Sequence, residues 1–324
     1  MSLTLYFSNV YIQQTGNYAG ITEAKGPLGH LLDGHSNDLY DNCKNYELAE
    51  RSMTKKAIQN CLLKANMNQN SLQMIIGGDL LNQNMTSNYV ARDIDSSFIG
   101  VYSACANIGL SLIQAATYVD RGIHPILCFT SSHNATAERQ FRYPLEYGVK
   151  RRRTSTFTAT GSAAFLVSNQ KSQIKISKAT IGKVIDYGLK DANDMGSAMA
   201  PAAYHTISDH LKNTNQKLSD FDLVITGDLS KFGNKCLKKL LNEPNIDDCG
   251  LHLYDINKQD VFQGGSGCAC SALVLSLWII KEMTEKKLKR VLFCPTGALL
   301  SLTSTNQKES IPCICHVIEL EREE

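Results

Sequence analysis

A chain of 324 residues exceeds what a single hydrophobic core usually organises, so two domains or two fused halves are expected. Its 43% hydrophobic and 20% charged residues are the balance of a folded globular protein and argue against a disordered or collagen-like chain. Lys and Arg number 33 against 31 Asp and Glu, and a net charge of +2 argues against nucleic acid or anionic lipid as the default partner; any basic site is local.

In chain order, Ala57, Ile58, Cys61, Leu62 and Ala65 form the apolar face of a predicted helix. A buried strand follows in Met74-Ile75-Ile76-Gly77-Gly78-Asp79-Leu80, and a strand-like run spans Phe98 to Tyr102. Cys105 then stands at the start of a helix through Ile108, Leu112 and Ala116, with the strand Ile126 to Phe129 after it. Ala163 to Val167 closes the first half with a strand and Ile174-Lys175-Ile176 opens the second. The boundary falls near Lys171, giving halves of 1–171 and 172–324. The second half repeats the order: a helix with Ala203, Ile207 and Leu211 inward, the strand Leu223-Val224-Ile225-Thr226-Gly227-Asp228-Leu229, a helix near Cys268 and the strand Val291 to Cys294. Such alternation implies right-handed crossovers and a largely parallel sheet with helices on its faces.

The repeat is visible in the residues themselves. Ser103 to Ser132 lies without gaps on Cys268 to Gly297, with Ala104/Ala269, Cys105/Cys270, Leu110/Leu275, Ser111/Ser276, Leu112/Leu277 and Leu127/Leu292 identical. Cys105 at a helix N-terminus is where unpaired amides and the helix dipole lower a thiol pKa, which makes it a candidate nucleophile; an arbitrary cysteine is more often a small buried apolar residue. The eleven cysteines, and sixteen leading residues without Lys, Arg or a long apolar run, point to a reducing compartment and no signal peptide. The apolar run Leu273 to Ile280 closes at Lys281, short of the roughly 20 residues of a membrane span.

Two such halves with a strand-to-helix cysteine in the first resemble the thiolase and ketoacyl synthase superfamily. Within it, an ordered series of segments resembles the stage V sporulation protein AD family of spore-forming Firmicutes. The segments are Gly26-Pro27-Leu28-Gly29-His30, Gly78 to Asn84, Asn88-Tyr89-Val90-Ala91-Arg92, Ser131 to Pro144, Asp194 to Ala203, Gly264 to Ser271 and Gln307 to Cys313. The resemblance implies a thiolase-like layered αβαβα fold. It also implies binding of dipicolinic acid (pyridine-2,6-dicarboxylate), and a role in moving it into the developing spore and out at germination. Membrane proteins of the same sporulation operon would be partners, with the chain peripheral at the forespore or spore inner membrane.

The sequence departs from a condensing enzyme of that superfamily. Where the ketoacyl synthase III pattern has a His at the end of the second-half strand stands Gly227, and where it has an Asn in a Gly-Asn loop stands Gly265. Those groups supply oxyanion and enolate stabilisation, and losing one such donor costs a factor of about 10² to 10³ in rate. Cys105 therefore reads as a vestigial nucleophile position. His316 or Cys313 in Cys313-Ile314-Cys315-His316 is left as a possible base, which keeps an acyl transferase or thioesterase as the alternative function, with a structural scaffold as a third. The Cys-x-Cys spacings 268/270 and 313/315 are weak evidence for zinc, and no cofactor or metal site is expected. Calcium enters only as the cation chelated by dipicolinate, because no contiguous loop of acidic ligands is present.

Between His133 and Arg153 six basic residues face two acidic ones. Arg139 and Arg142 are interleaved with Phe141, Tyr143 and Tyr147, and a planar aromatic dicarboxylate needs forked guanidinium donors and an aromatic face. His133 and Asn134 follow the strand beside Cys105 and are expected at the mouth of the same pocket, with a satisfied structural His an equal alternative. Asp79, Asn82 and Asn84 are expected to order a neighbouring loop, and Met195 and Met199 to line an apolar wall, although core packing explains the methionines equally well. No nucleic acid is expected as a partner, and a homodimer is left open.

Overall fold

The computed structural model describes residues 2–141 and 152–323. Helix Tyr46–Lys64 begins where the Asn45 side chain accepts the Leu48 N–H at 2.9 Å, and buries Ala49, Met53, Ala57, Ile58, Cys61 and Leu62 along one face. Helix Met195–Thr214, capped by Asp194, buries Ala198, Met199, Ala202, Ala203 and Ile207 in the same way.

Eleven strands form one sheet. Its first half runs Ser97–Gly100, Met74–Gly78, Ile126–Ser132, Gly161–Ser168, Tyr11–Ala19, and its second half runs Ile246–Asp248, Leu223–Thr226, Arg290–Cys294, Val317–Arg322, Ile174–Ile181. Numbered along the chain, both read 3-2-4-5-1. The halves join at their first strands, where Tyr11 pairs with Lys175 and Ile12 with Ile174. Leu3–Tyr6 adds to Ile174–Ile181 off this path.

The expectation of a largely parallel sheet needs correction. In each half the closing strand, Gly161–Ser168 or Val317–Arg322, is antiparallel to both its neighbours. A parallel return needs a crossover to the opposite end of the sheet. Here Ser132 pairs directly with Gly161, so the chain re-enters at the end it left. The strand expected over Phe98 to Tyr102 stops at Gly100, which frees Tyr102 to leave the sheet.

Helix Asn107–Asp120 packs on strands of both halves and on Cys268–Val274, in which all seven residues are buried. These helices form the middle layer, enclosed by the sheet halves and flanked outside by Tyr46–Lys64 and Met195–Thr214. Gly109 makes the approach possible: a Cβ there would lie 2.4 Å from Pro295 Cγ.

In the second half, the fully buried Glu319 accepts from Lys178 Nζ at 3.0 Å, Arg290 at 2.7 Å and Gln216 at 3.0 Å. Burial alone would raise its pKa, but these donors and His210 hold the carboxyl far below the usual carboxylate range. Glu319→Ala is expected to cost about 2 kcal/mol or more, somewhat under the penalty for a fully buried pair because Lys178 and Arg290 reach solvent. A depressed folded pKa gives stability that is present above the unfolded value and lost as pH falls. The difference between parent and variant in urea unfolding should therefore hold at neutral pH and shrink below about pH 4.

Candidate functional site

The chain leaves Met74–Gly78 through Asp79 and Leu80, and Ser97–Gly100 through Tyr102 to Cys105. It leaves Leu223–Thr226 through Asp228, and Arg290–Cys294 towards Thr296–Ala298. These strand ends converge, as they do where ligands bind in parallel-sheet folds. Leu80, Tyr102, Ala104, Cys105, Ala137 and Glu138 from the first half meet Met195, Ser266, Gly267, Ala298 and Leu300 from the second around one cavity. Its volume is about 30 Å³, the room of about one water. Ala104 turns the chain into the site with φ 48°, a left-handed backbone uncommon for alanine.

Cys105 sits two residues before helix Asn107–Asp120, and its thiol lies 3.9 Å from Ser266 Oγ. Behind it is the buried carboxylate of Asp228, which accepts Ser266 Oγ–H at 2.9 Å, Gly267 N–H at 3.2 Å and Thr296 Oγ–H at 2.8 Å. These surroundings oppose activation of the thiol. Burial first, then the Asp228 charge and the Cys268 thiol, push the Cys105 pKa well above its ordinary value. Burial and the neighbouring carboxylate outweigh the helix N-terminus, and a protonated thiol is a poor nucleophile. Burial likewise raises the Asp228 pKa against its hydrogen bonds.

His316 does not line the cavity. Its Nε2 pairs with Ser103 Oγ at 3.0 Å, the Gly182 N–H approaches Nδ1 at 3.4 Å, and burial pulls its pKa down to about 4. The two positions that differ from a condensing enzyme are closed. A Cβ on Gly227 would meet Pro295 Cα at 2.9 Å, and one on Gly265 would meet Cys270 Sγ and Tyr254 Cε2 at 2.9 Å. The gapless repeat also slips here: relative to it, helix Cys268–Val274 starts one turn early. Cys270 is thus inside the helix with its thiol toward Gly227 O, and does not mirror the position of Cys105.

The remaining sequence candidates divide. Met195 lines the cavity, whereas Met199 is buried in the second-half core. His133 does not line it: Nε2 is 2.8 Å from Leu39 O, Nδ1 accepts the Ala135 N–H at 3.1 Å, and burial lowers its pKa, so it is a satisfied neutral histidine. Asn134 donates to Thr158 O at 3.2 Å. The Arg139 guanidinium is paired with Glu47 of helix Tyr46–Lys64. Arg142, Tyr143 and Tyr147 lie outside the described residues. Cys313 and Cys315 are buried, and their thiols point at the carbonyls of Ile311 and His316. Among the described residues no three His, Cys, Asp or Glu side chains are placed to hold a metal.

Beyond the cavity opens a groove of about 390 Å³, bordered by Asn82, Gln83, Asn84, Leu299 and Ser301 and sharing Tyr102, Phe141 and Leu300 with the cavity. Its rim is built from the Gly78 to Asn84 segment. Asp79 accepts Leu81 N–H at 2.9 Å and Ser87 N–H and Oγ–H at 2.7 Å each, and Gln140 clasps Asn82 through both its amide atoms. Gln83 and Asn84 are both left-handed, with φ 62° and 51°, and Asn88 Nδ2 donates to both carbonyls at 2.9 Å. Behind Asp79 lies Glu50, whose pKa is pushed up to about 8 by burial and then by the Asp79 charge; it accepts from Ser131 and Thr136. Sequence reasoning missed Asp228, Ser266 and Glu50 as site-building residues. The likeness of Gly227-Asp228-Leu229 to Gly78-Asp79-Leu80 was the available signal for Asp228.

Two outcomes follow for the thiol. Peptide-level iodoacetamide labelling should modify the half-buried Cys43 and Cys236 before Cys105, and Asp228→Asn should speed Cys105 labelling by removing the adjacent charge. Labelling of Cys105 first in the parent would contradict this. Gly265→Asn should destabilise the fold by about 1–3 kcal/mol in thermal unfolding, because the tight neighbours of its Cβ must move.

The family described as stage V sporulation protein AD matches residues 2–321. Stage V sporulation protein AD of Bacillus subtilis (strain 168) is 46% identical over 320 residues, 97% of this chain and 94% of that protein. An OleA variant of Xanthomonas campestris superposes with a TM-score of 0.61 at 15% identity, covering 98% of this chain and 99% of its own. The 3-oxoacyl-[acyl-carrier-protein] synthase III of Aquifex aeolicus VF5 superposes at 0.57 with 14% identity, covering 96% and 99%. Those two likenesses establish a thiolase-like fold, the layering read from the sequence. The family match covers nearly the whole chain, and the protein belongs to the stage V sporulation protein AD family.

Proposed function

We propose that this sporulation protein binds dipicolinic acid without catalysing a reaction, as a peripheral component of the apparatus that moves the acid into the spore and releases it. The observation that carries the reading is the pairing of a small cavity, whose thiol has a raised pKa, with an adjoining open groove lined by Tyr102 and Phe141. A flat pyridine ring fits between aromatic and aliphatic faces, and its carboxylates suit the amides of Asn82 and Asn84 and the hydroxyl of Ser301. Arg142, which follows Phe141 directly, is the proposed forked donor. Arg139 is less suited, being held by Glu47. Calcium would arrive chelated by the ligand. No helix of the described residues is long and apolar enough to cross a membrane, which suits attachment through membrane partners.

The acyl-transfer alternative keeps one supporting feature, the position of Cys105 in the cavity wall. Titration calorimetry with dipicolinate, with and without calcium, beside acyl-coenzyme A turnover, separates the two. Dipicolinate should bind, picolinate more weakly, and turnover should be absent. Tyr102→Ala should weaken binding about three- to tenfold, the range of an aromatic contact. Arg142→Lys should weaken it about tenfold through loss of the fork, although charge is kept. A folded protein with no heat of dipicolinate binding, or with Cys105-dependent turnover, would overturn the reading.

A further inference from the structure

The second half carries a surface helix whose outward face the fold does not use. Ser230–Leu241 is tied at its start by Lys231 N–H to Gln263 O at 3.0 Å, and buries Gly233, Asn234 and Leu237. Gly233 fits so closely against helix Met195–Thr214 that a Cβ there would lie 2.4 Å from Gly196 O, and Asn234 Nδ2 donates to Ile246 O at 3.1 Å. That face completes the packing.

The outer face has two rows. Lys231, Lys235 and Lys239 recur every fourth residue, all exposed, and among the described residues none of the three forms an ion pair. Beside them, also at four-residue spacing, run Phe232, the half-buried Cys236 and Leu240, with Phe232 39% and Leu240 45% exposed. The helix contains no acidic residue and a fourth lysine, Lys238, on a chain whose net charge is only +2. A solvated face needs no exposed Phe and Leu in register, and a nucleic-acid backbone needs the lysines alone.

We propose that helix Ser230–Leu241 is a docking surface for an anionic lipid bilayer. The lysines meet headgroup phosphates while Phe232 and Leu240 enter the boundary between headgroups and acyl chains. None of residues 230–241 lines the Cys105 cavity or the groove, so the docking surface is independent of what the groove binds.

The test is co-sedimentation of the full chain with vesicles of phosphatidylcholine and phosphatidylglycerol in equal parts, against phosphatidylcholine alone, at low and high salt. Binding should require the anionic lipid and weaken with salt. Replacing Lys231, Lys235 and Lys239 together by Gln should reduce it about a hundredfold, from roughly fivefold per lysine near such a surface. Phe232→Ser with Leu240→Ser, which keeps every charge, should also weaken it severalfold. Circular dichroism should show both variants folded, as all five side chains are exposed. Equal binding to both vesicles, or full binding by the lysine variant, would overturn the proposal. So would full binding by the serine variant, which would leave a polyanion such as an acidic protein or a nucleic acid as the occupant.

Discussion

One buried carboxylate organises the centre of this protein. Asp228, at the end of a second-half strand, accepts hydrogen bonds from Ser266 and Gly267 ahead of one central helix and from Thr296 beyond the neighbouring strand, and it faces the thiol of Cys105 ahead of the other central helix. It thereby ties three loops of the second half to the first. Dispersing its charge over three donors makes a buried carboxylate tolerable, and that charge adds to the effect of burial on the thiol. Burial first, and that charge second, raise the Cys105 pKa well above its ordinary value.

The layout around this group separates scaffold from chemistry. The thiolase-like fold brings strand ends of both halves to one place, and fold likeness at 14–15% identity carries no more than that. What occupies the place differs from a condensing site. Both positions that would hold catalytic side chains are glycines packed against backbone or ring atoms, His316 is turned to Ser103, and the cavity has room for about one water. Space and aromatic surface are found one step outward, in the groove bounded by the left-handed Gln83 and Asn84.

Local periodicity was enough to place most elements. The face of Ala57, Ile58, Cys61 and Leu62 and the run Ile126 to Phe129 bury as their spacing requires, because apolar stripes record which side of an element meets the core. What spacing could not carry was relation between distant segments. The reversal of Gly161–Ser168 depends on which end of the sheet the chain re-enters. The fate of Arg139 depends on Glu47 of another helix, and the raised pKa of Cys105 on its burial and on Asp228, more than a third of the chain away. The repeat carried Cys105 onto Cys270 because apolar positions match without gaps, while the glycine Gly267, at φ 94°, lets the second helix start a turn sooner.

The central claim is that burial, reinforced by a neighbouring buried acid, holds the strand-to-helix cysteine of this fold as a thiol. A titration of Cys105 followed by the ¹³Cβ chemical shift, in protein labelled at cysteine and assigned with a Cys105→Ser variant, tests it directly. The account predicts no ionisation of Cys105 up to about pH 9, above the value of about 8.5 for a free thiol. Ionisation of Cys105 below that free-thiol value would contradict it.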